Sequence, residues 1–113
     1  MEELFERLRG YLKMDEEISF EEFSNYYQEV LDCFLTEYQD FDVETLIKAR
    51  YIASIVNANA VSRAKRKGPN AKKYKKMAEK MNFWAGALNY RLLENGLTQQ
   101  QIDAAEEELS AGI

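Results

Sequence analysis

The sequence predicts an all-α fold, a bundle of about five helices built on one long antiparallel helical hairpin. Three observations carry this expectation. Apolar residues recur at helical spacing along nearly the whole chain. Hydrophobic pairs five positions apart bracket three candidate cap residues. One Pro and five Gly leave little material for the tight turns of a β fold. A chain of 113 residues is long enough for one core, so residues 1–113 form a single α-helical domain.

The first helix, about residues 2–13, offers Leu4, Phe5, Leu8 and Leu12 on one face. Ser19 followed by Glu22 has the form of a capping box, with Ile18 and Phe23 as its hydrophobic staple. A second helix over about 20–38 then presents Phe20, Phe23, Tyr27, Val30, Phe34 and Tyr38. Asp42, stapled by Phe41 and Leu46, starts a third helix over about 43–67 with Val43, Leu46, Ile47, Tyr51, Ile55, Ala58 and Val61 inward. Gly68-Pro69 breaks the pattern, with Pro69 suited to the first position of a fourth helix over about 70–95. That helix turns Tyr74, Met77, Met81, Trp84, Leu88 and Leu92 to the core, and Asn95-Gly96 ends it, Gly96 in the left-handed slot. Thr98 with Gln101, stapled by Leu97 and Ile102, opens a fifth helix over about 99–110 with Ile102, Ala105 and Leu109 inward.

The third and fourth helices, joined by a tight break, fold back as an antiparallel hairpin. Residue 57 then faces about residue 80, and residue 51 about residue 86. Gly86 sits mid-helix, where it costs about 1 kcal/mol against Ala. Close helix approach, with Ala49 and Ala53 opposite and Tyr51 over the gap, is the expected reason for it.

Composition excludes several classes of function. There is no His, which removes the commonest general base and metal ligand. A lone Cys33 can form neither an internal disulfide nor a zinc site, and its place near the apolar face of the second helix reads as a small buried hydrophobe. The carboxylate runs lack the spacing of a calcium loop or a di-metal bundle. No phosphate-binding loop or nucleophile–base pair is present, so neither an enzyme nor a cofactor is expected. The acidic start, Met1 to Glu6, is unlike a secretory signal, and no run approaches a membrane span. An unpaired cysteine fits the cytoplasm.

The charge map is the most informative feature. Formal net charge is −5, but it is unevenly spread. Residues 1–44 hold 14 acids against Arg7, Arg9 and Lys13; residues 45–91 hold 12 bases against Glu79 alone; residues 92–113 hold five acids and no base. Nine bases crowd the expected hairpin tip: Arg63, Lys65, Arg66, Lys67, Lys72, Lys73, Lys75, Lys76 and Lys80. Lys72, Lys73, Lys75 and Lys76 occupy the opening turns of a helix, where the dipole favours acids. A local rule broken repeatedly in one place points to a compensating partner. Three partners could compensate: the chain's own acidic arm (Asp15-Glu16-Glu17, Glu21-Glu22, Asp40-Asp42-Glu44), an acidic protein or second copy of the chain, or nucleic acid phosphates.

Other patterns have plainer readings. Asn95-Gly96-Leu97-Thr98-Gln99-Gln100-Gln101-Ile102 resembles the opening of a repressor-type helix-turn-helix. The resemblance implies a recognition helix that the eleven residues after Ile102, with Glu106-Glu107-Glu108 among them, do not supply. A capped helix packing on the bundle is expected instead. Arg50, Ser54 and Asn57, and likewise Glu79, Asn82 and Asn89, stack at helical spacing; they form a buried polar seam setting hairpin register if they face each other, and ordinary surface if they face out. The functional expectation is a small non-enzymatic interaction or adaptor protein whose basic tip, the nine bases above, docks an acidic surface. A homodimer is consistent with this, nucleic acid is the alternative partner for the same residues, and no membrane is involved.

Overall fold

Helix starts follow the caps. The computed structural model describes residues 1–112 and places α1 at Glu2–Leu12, α2 at Phe20–Glu37, α3 at Val43–Ala64, α4 at Ala71–Glu94 and α5 at Gln99–Ala111. No strand occurs among the described residues. The Asp42 carboxylate accepts from the Thr45 amide at 2.9 Å, which holds its carboxyl below the usual range. Thr98 and Gln101 form a complete capping box, each side chain accepting from the other's backbone N–H. The Ser19 box is half made. Ser19 accepts from the Glu22 amide, but the Glu22 carboxylate turns away to accept from the Tyr11 hydroxyl at 2.9 Å. Gly96 adopts φ 95 and closes α4. The Leu97 amide donates to Leu92 and the Gly96 amide to Leu93, the paired bonds of a Schellman motif.

The bundle is built on the α3–α4 hairpin and measures 43 × 26 × 23 Å. Asn57 Nδ2 donates to the Ala78 carbonyl at 2.7 Å, and Arg63 Nη1 to the Tyr74 hydroxyl at 2.9 Å, so the register lies within a turn of the one predicted. Helix α1 runs back along α2, held by the Tyr26 hydroxyl on the Leu4 carbonyl and by Arg7 on Glu29. Helix α2 lies along the hairpin. The Phe20 and Phe23 rings meet Tyr74 at one end, and Phe34 and Tyr38 meet Trp84 at the other, with centroids 5.3–5.4 Å apart. A 3-10 turn, Tyr38–Asp40, extends α2, and Arg91 donates to the Tyr38 and Gln39 carbonyls there at 3.1 and 2.7 Å. Helix α5 closes the remaining side through a half-buried Arg50–Glu106 ion pair to α3 and paired amides of Asn89 and Gln99. Phe34, Leu46, Ile52, Met81, Leu88, Leu92 and Ile102 fill the centre.

Three expectations need correction, and one open alternative is decided. Helix α3 buries Leu46 and Tyr51 of the expected stripe and packs Val43, Ile47 and Ile55 against the core, but Ala58 and Val61 are exposed, while Ala49, Ile52, Ala53, Val56 and Ala60 are buried as well. It is the central helix, touched by α1, α4 and α5, so it has no single apolar face and its alanines carry much of the contact. The hairpin break is a loop over 65–70, not a two-residue break. Pro69 sits at the second position of a turn closed by the Ala71 amide on the Gly68 carbonyl, ahead of the Asn70 cap. Gly86 is exposed, and a Cβ there would meet nothing within 4 Å. Tyr51 packs on Phe5 instead, so close approach within the chain does not explain this glycine. The polar stripes form no continuous seam. Asn57 bridges the hairpin, Arg50 and Asn89 reach α5, and Glu79 and Asn82 face solvent.

Candidate functional site

The basic cluster gathers at one end of the bundle, around the loop joining α3 to α4. That loop closes with Lys67 at φ 55, left-handed backbone that a β-carbon disfavours and glycine adopts freely. Helix α4 then follows its N-cap, Asn70, which makes no side-chain cap bond, and no acid stands in its first turn, which holds Lys72 and Lys73. The free amide ends and the two ammonium groups stack positive charge on positive charge.

The chain's acidic arm answers only part of this. The strap from residue 13 to 19 lays Glu17 across the tip. Arg66 Nη1 donates to both Glu17 oxygens at 2.7 and 2.8 Å, and Arg63 Nε lies 3.3 Å from one of them. Together these arginines hold the Glu17 carboxyl below the usual range, the Arg66 hydrogen bonds foremost. Arg63 is the one buried base of the nine, 8% exposed. Its guanidinium lies 4.6 Å from the Phe23 ring centroid and 5.5 Å from that of Tyr74, while binding the Tyr74 hydroxyl. It is therefore a structural bolt between strap, α2 and hairpin rather than an open docking residue. Lys73 lies over the Phe20 ring at 5.4 Å.

The remaining six, Lys65, Lys67, Lys72, Lys75, Lys76 and Lys80, are exposed, and none has a carboxylate oxygen within 4.0 Å among the described residues. The rest of the arm is committed elsewhere or faces water. Glu22 serves Tyr11 and Arg7, Glu44 lies near Lys48, and Asp15, Glu16 and Glu21 are exposed.

Two exposed aromatics, Phe83 and Tyr90, were missed as functional candidates. Both lie on α4 off the core stripe and are 64% exposed. Their spacing of seven, outside the buried set, was the available signal.

Other features offer less chemistry. A hollow of about 90 Å³ beneath the strap is lined by Leu8, Ile18, Phe23, Tyr26 and Val56, with Arg63 at its edge. That is below the roughly 300–1,000 Å³ usual for a small-molecule site, and the larger hollows, of about 340, 370 and 500 Å³, are open depressions of the surface. Cys33 is buried, and burial pushes its thiol pKa up, with a contact to Glu37 adding to the shift. Among the described residues no group of three His, Cys, Asp or Glu is placed to hold a metal ion, and no helix is long and apolar enough to cross a membrane. Helix α5 is a single capped helix on the bundle, and no recognition helix follows it among the described residues. Comparison with protein-family models, with curated proteins and with solved structures finds no match for this chain.

Proposed function

We propose that this protein is a non-enzymatic interaction module whose lysine-capped hairpin tip docks an acidic protein surface. One observation carries the reading. Six exposed tip lysines have no carboxylate partner among the described residues, although the chain folds Glu17 of its acidic arm against the same tip. The arm spends Glu17 on the two arginines and leaves the lysines outward. Lysine at a left-handed backbone position and lysines at a helix start each lower the stability of the isolated chain, and an outside acidic surface supplies the missing compensation.

A protein partner fits better than a phosphate backbone because exposed acids share this end of the molecule. Asp15 and Glu16 lie in the strap that Glu17 pins to the tip, and the exposed Glu21 follows Phe20, whose ring meets Tyr74, in the first turn of α2. A nucleic acid strand laid over the lysines meets those carboxylates, whereas a protein surface of mixed charge can complement both.

The test is fluorescence anisotropy of a labelled polyglutamate peptide, with a labelled DNA duplex in parallel, across a salt series. Binding of the peptide that weakens with salt and is lost when Lys65, Lys67 and Lys75 are reversed to Glu supports the proposal. A duplex bound more tightly than the peptide replaces it with phosphate recognition. No binding of either probe at low salt removes both.

A further inference from the structure

The outer face of α4 is unpartnered, and its residues are arranged to complement themselves. Lys72, Lys76, Glu79, Phe83, Tyr90 and Glu94 fall within one stripe of helical period, opposite the buried Tyr74–Leu92 face, and all are exposed. Gly86 lies on the flank of the stripe between the two aromatics, and a Cβ there would meet nothing within 4 Å among the described residues. A single exposed aromatic needs no explanation. Two of them seven residues apart, beside a mid-helix glycine that costs the monomer stability and relieves no internal contact, ask for a neighbour outside the chain.

We propose that this face is a homodimer interface, with a second copy of the chain packing its own α4 antiparallel across a two-fold axis at Phe83. In that register residues equally distant from 83 face one another. Phe83 meets its own copy at the axis. Lys76 faces Tyr90 of the second copy, a cation against an aromatic ring. Lys72 faces Glu94 of the second copy, an opposite-charge pair that the symmetry makes twice. Lys80 faces Gly86 of the second copy, so its methylene stem lies along bare backbone. Basic and aromatic halves of one helix thus become complements when the direction is reversed. A register centred between Gly86 and Ala87 is worse. It opposes Glu79 to Glu94 and leaves Lys72 and Lys76 beyond the aromatic and acidic residues. The contact runs along about 33 Å of helix from Lys72 to Glu94. It places the two lysine-rich tips at opposite ends of the dimer, leaving Lys65, Lys67 and Lys75 free at each.

Sedimentation equilibrium of the protein alone, over a concentration series, tests this without any acidic probe. The weight-average mass is expected to climb from 13.2 kDa toward twice that value. Lys72→Glu and Glu94→Lys are each expected to weaken association about tenfold, since each sets like charges opposite one another twice, and Phe83→Ala to weaken it by a similar factor or more. The double variant K72E/E94K restores the pairing with reversed sign and is expected to return association to the parental value. The helical signal of each variant is checked by circular dichroism; all three positions are exposed. Reversal of Lys65 and Lys67 leaves dimerisation unchanged, which separates this interface from the docking tip. A chain that stays monomeric at every concentration, or a double variant no better than the single ones, overturns the proposal.

Discussion

Glu17→Gln tests the bolt at the hairpin tip, and its cost follows from the burial of the partners. Arg63 is 8% exposed and Glu17 53%. Removing one side of a fully buried ion pair costs about 3–5 kcal/mol because the other charge is stranded, whereas a fully exposed pair contributes about 0–1 kcal/mol. Glu17 is half in water, and the Tyr74 hydroxyl and Phe23 ring remain to hold Arg63. The expected loss is therefore about 1–2 kcal/mol. Arg66, 57% exposed, makes the shorter bonds but contributes less, so Arg66→Ala is expected to cost about 0.5 kcal/mol. Arg63→Met removes the desolvated charge while keeping the packing, and in that background Glu17→Gln should cost only what Arg66 loses. The assay is urea unfolding followed by Trp84, the only tryptophan, which is buried between Phe34 and Tyr38. The pH dependence has a definite sign. The Glu17 carboxyl is lowered in the folded state, so its contribution is full above the ordinary glutamate value and is lost as pH falls through the lowered one. Glu17→Gln should flatten that acid limb. If Arg66→Ala costs as much as Glu17→Gln, or if Glu17→Gln is as costly with Met at position 63, the burial argument is wrong.

Four further outcomes are expected. Lys67→Gly relieves left-handed backbone and should stabilise the fold by about 0.5–1 kcal/mol in thermal or urea melts. Gly86→Ala, measured in dilute protein, should stabilise it by about 1 kcal/mol, because the added methyl meets open space on a helix. Gly96→Ala should cost about 1–2 kcal/mol, since φ 95 is required by the Schellman closure of α4. Cys33 should react with a thiol reagent only slowly in the native protein and at an ordinary rate in denaturant, because burial raises its pKa and shields it.

Legibility followed the range of the physics. Caps and staples are local, so Ser19, Asp42 and Thr98 marked three helix starts to the residue. The core stripe of α4 was readable because one side of that helix is bare and the contrast is strong. Helix α3 is only partly legible: Leu46 and Tyr51 follow the expected stripe, but a rod buried on several sides loses its contrast, so Ile52, Val56 and Ala60 lie outside that stripe and are buried all the same. The box at Ser19 was half wrong because Tyr11 and Arg7, distant in sequence, compete for Glu22. Arg63 illustrates the same limit. A base in the last turn of a helix already satisfies the dipole, so nothing in the sequence marks it as buried beneath Phe23, Tyr74 and Glu17. The cost of Gly86 to its helix is legible in the sequence, but the close approach within the chain that would offset it is not made by the fold.

Helix α2 is fastened to the hairpin by guanidinium groups at its two ends. Arg63 grips near Phe23, and Arg91 gathers the carbonyls of Tyr38 and Gln39. A beam bolted at both ends cannot swing out like a door. Amide hydrogen exchange along α2 should consequently proceed as one cooperative event, with its first and last turns released together rather than fraying from either side.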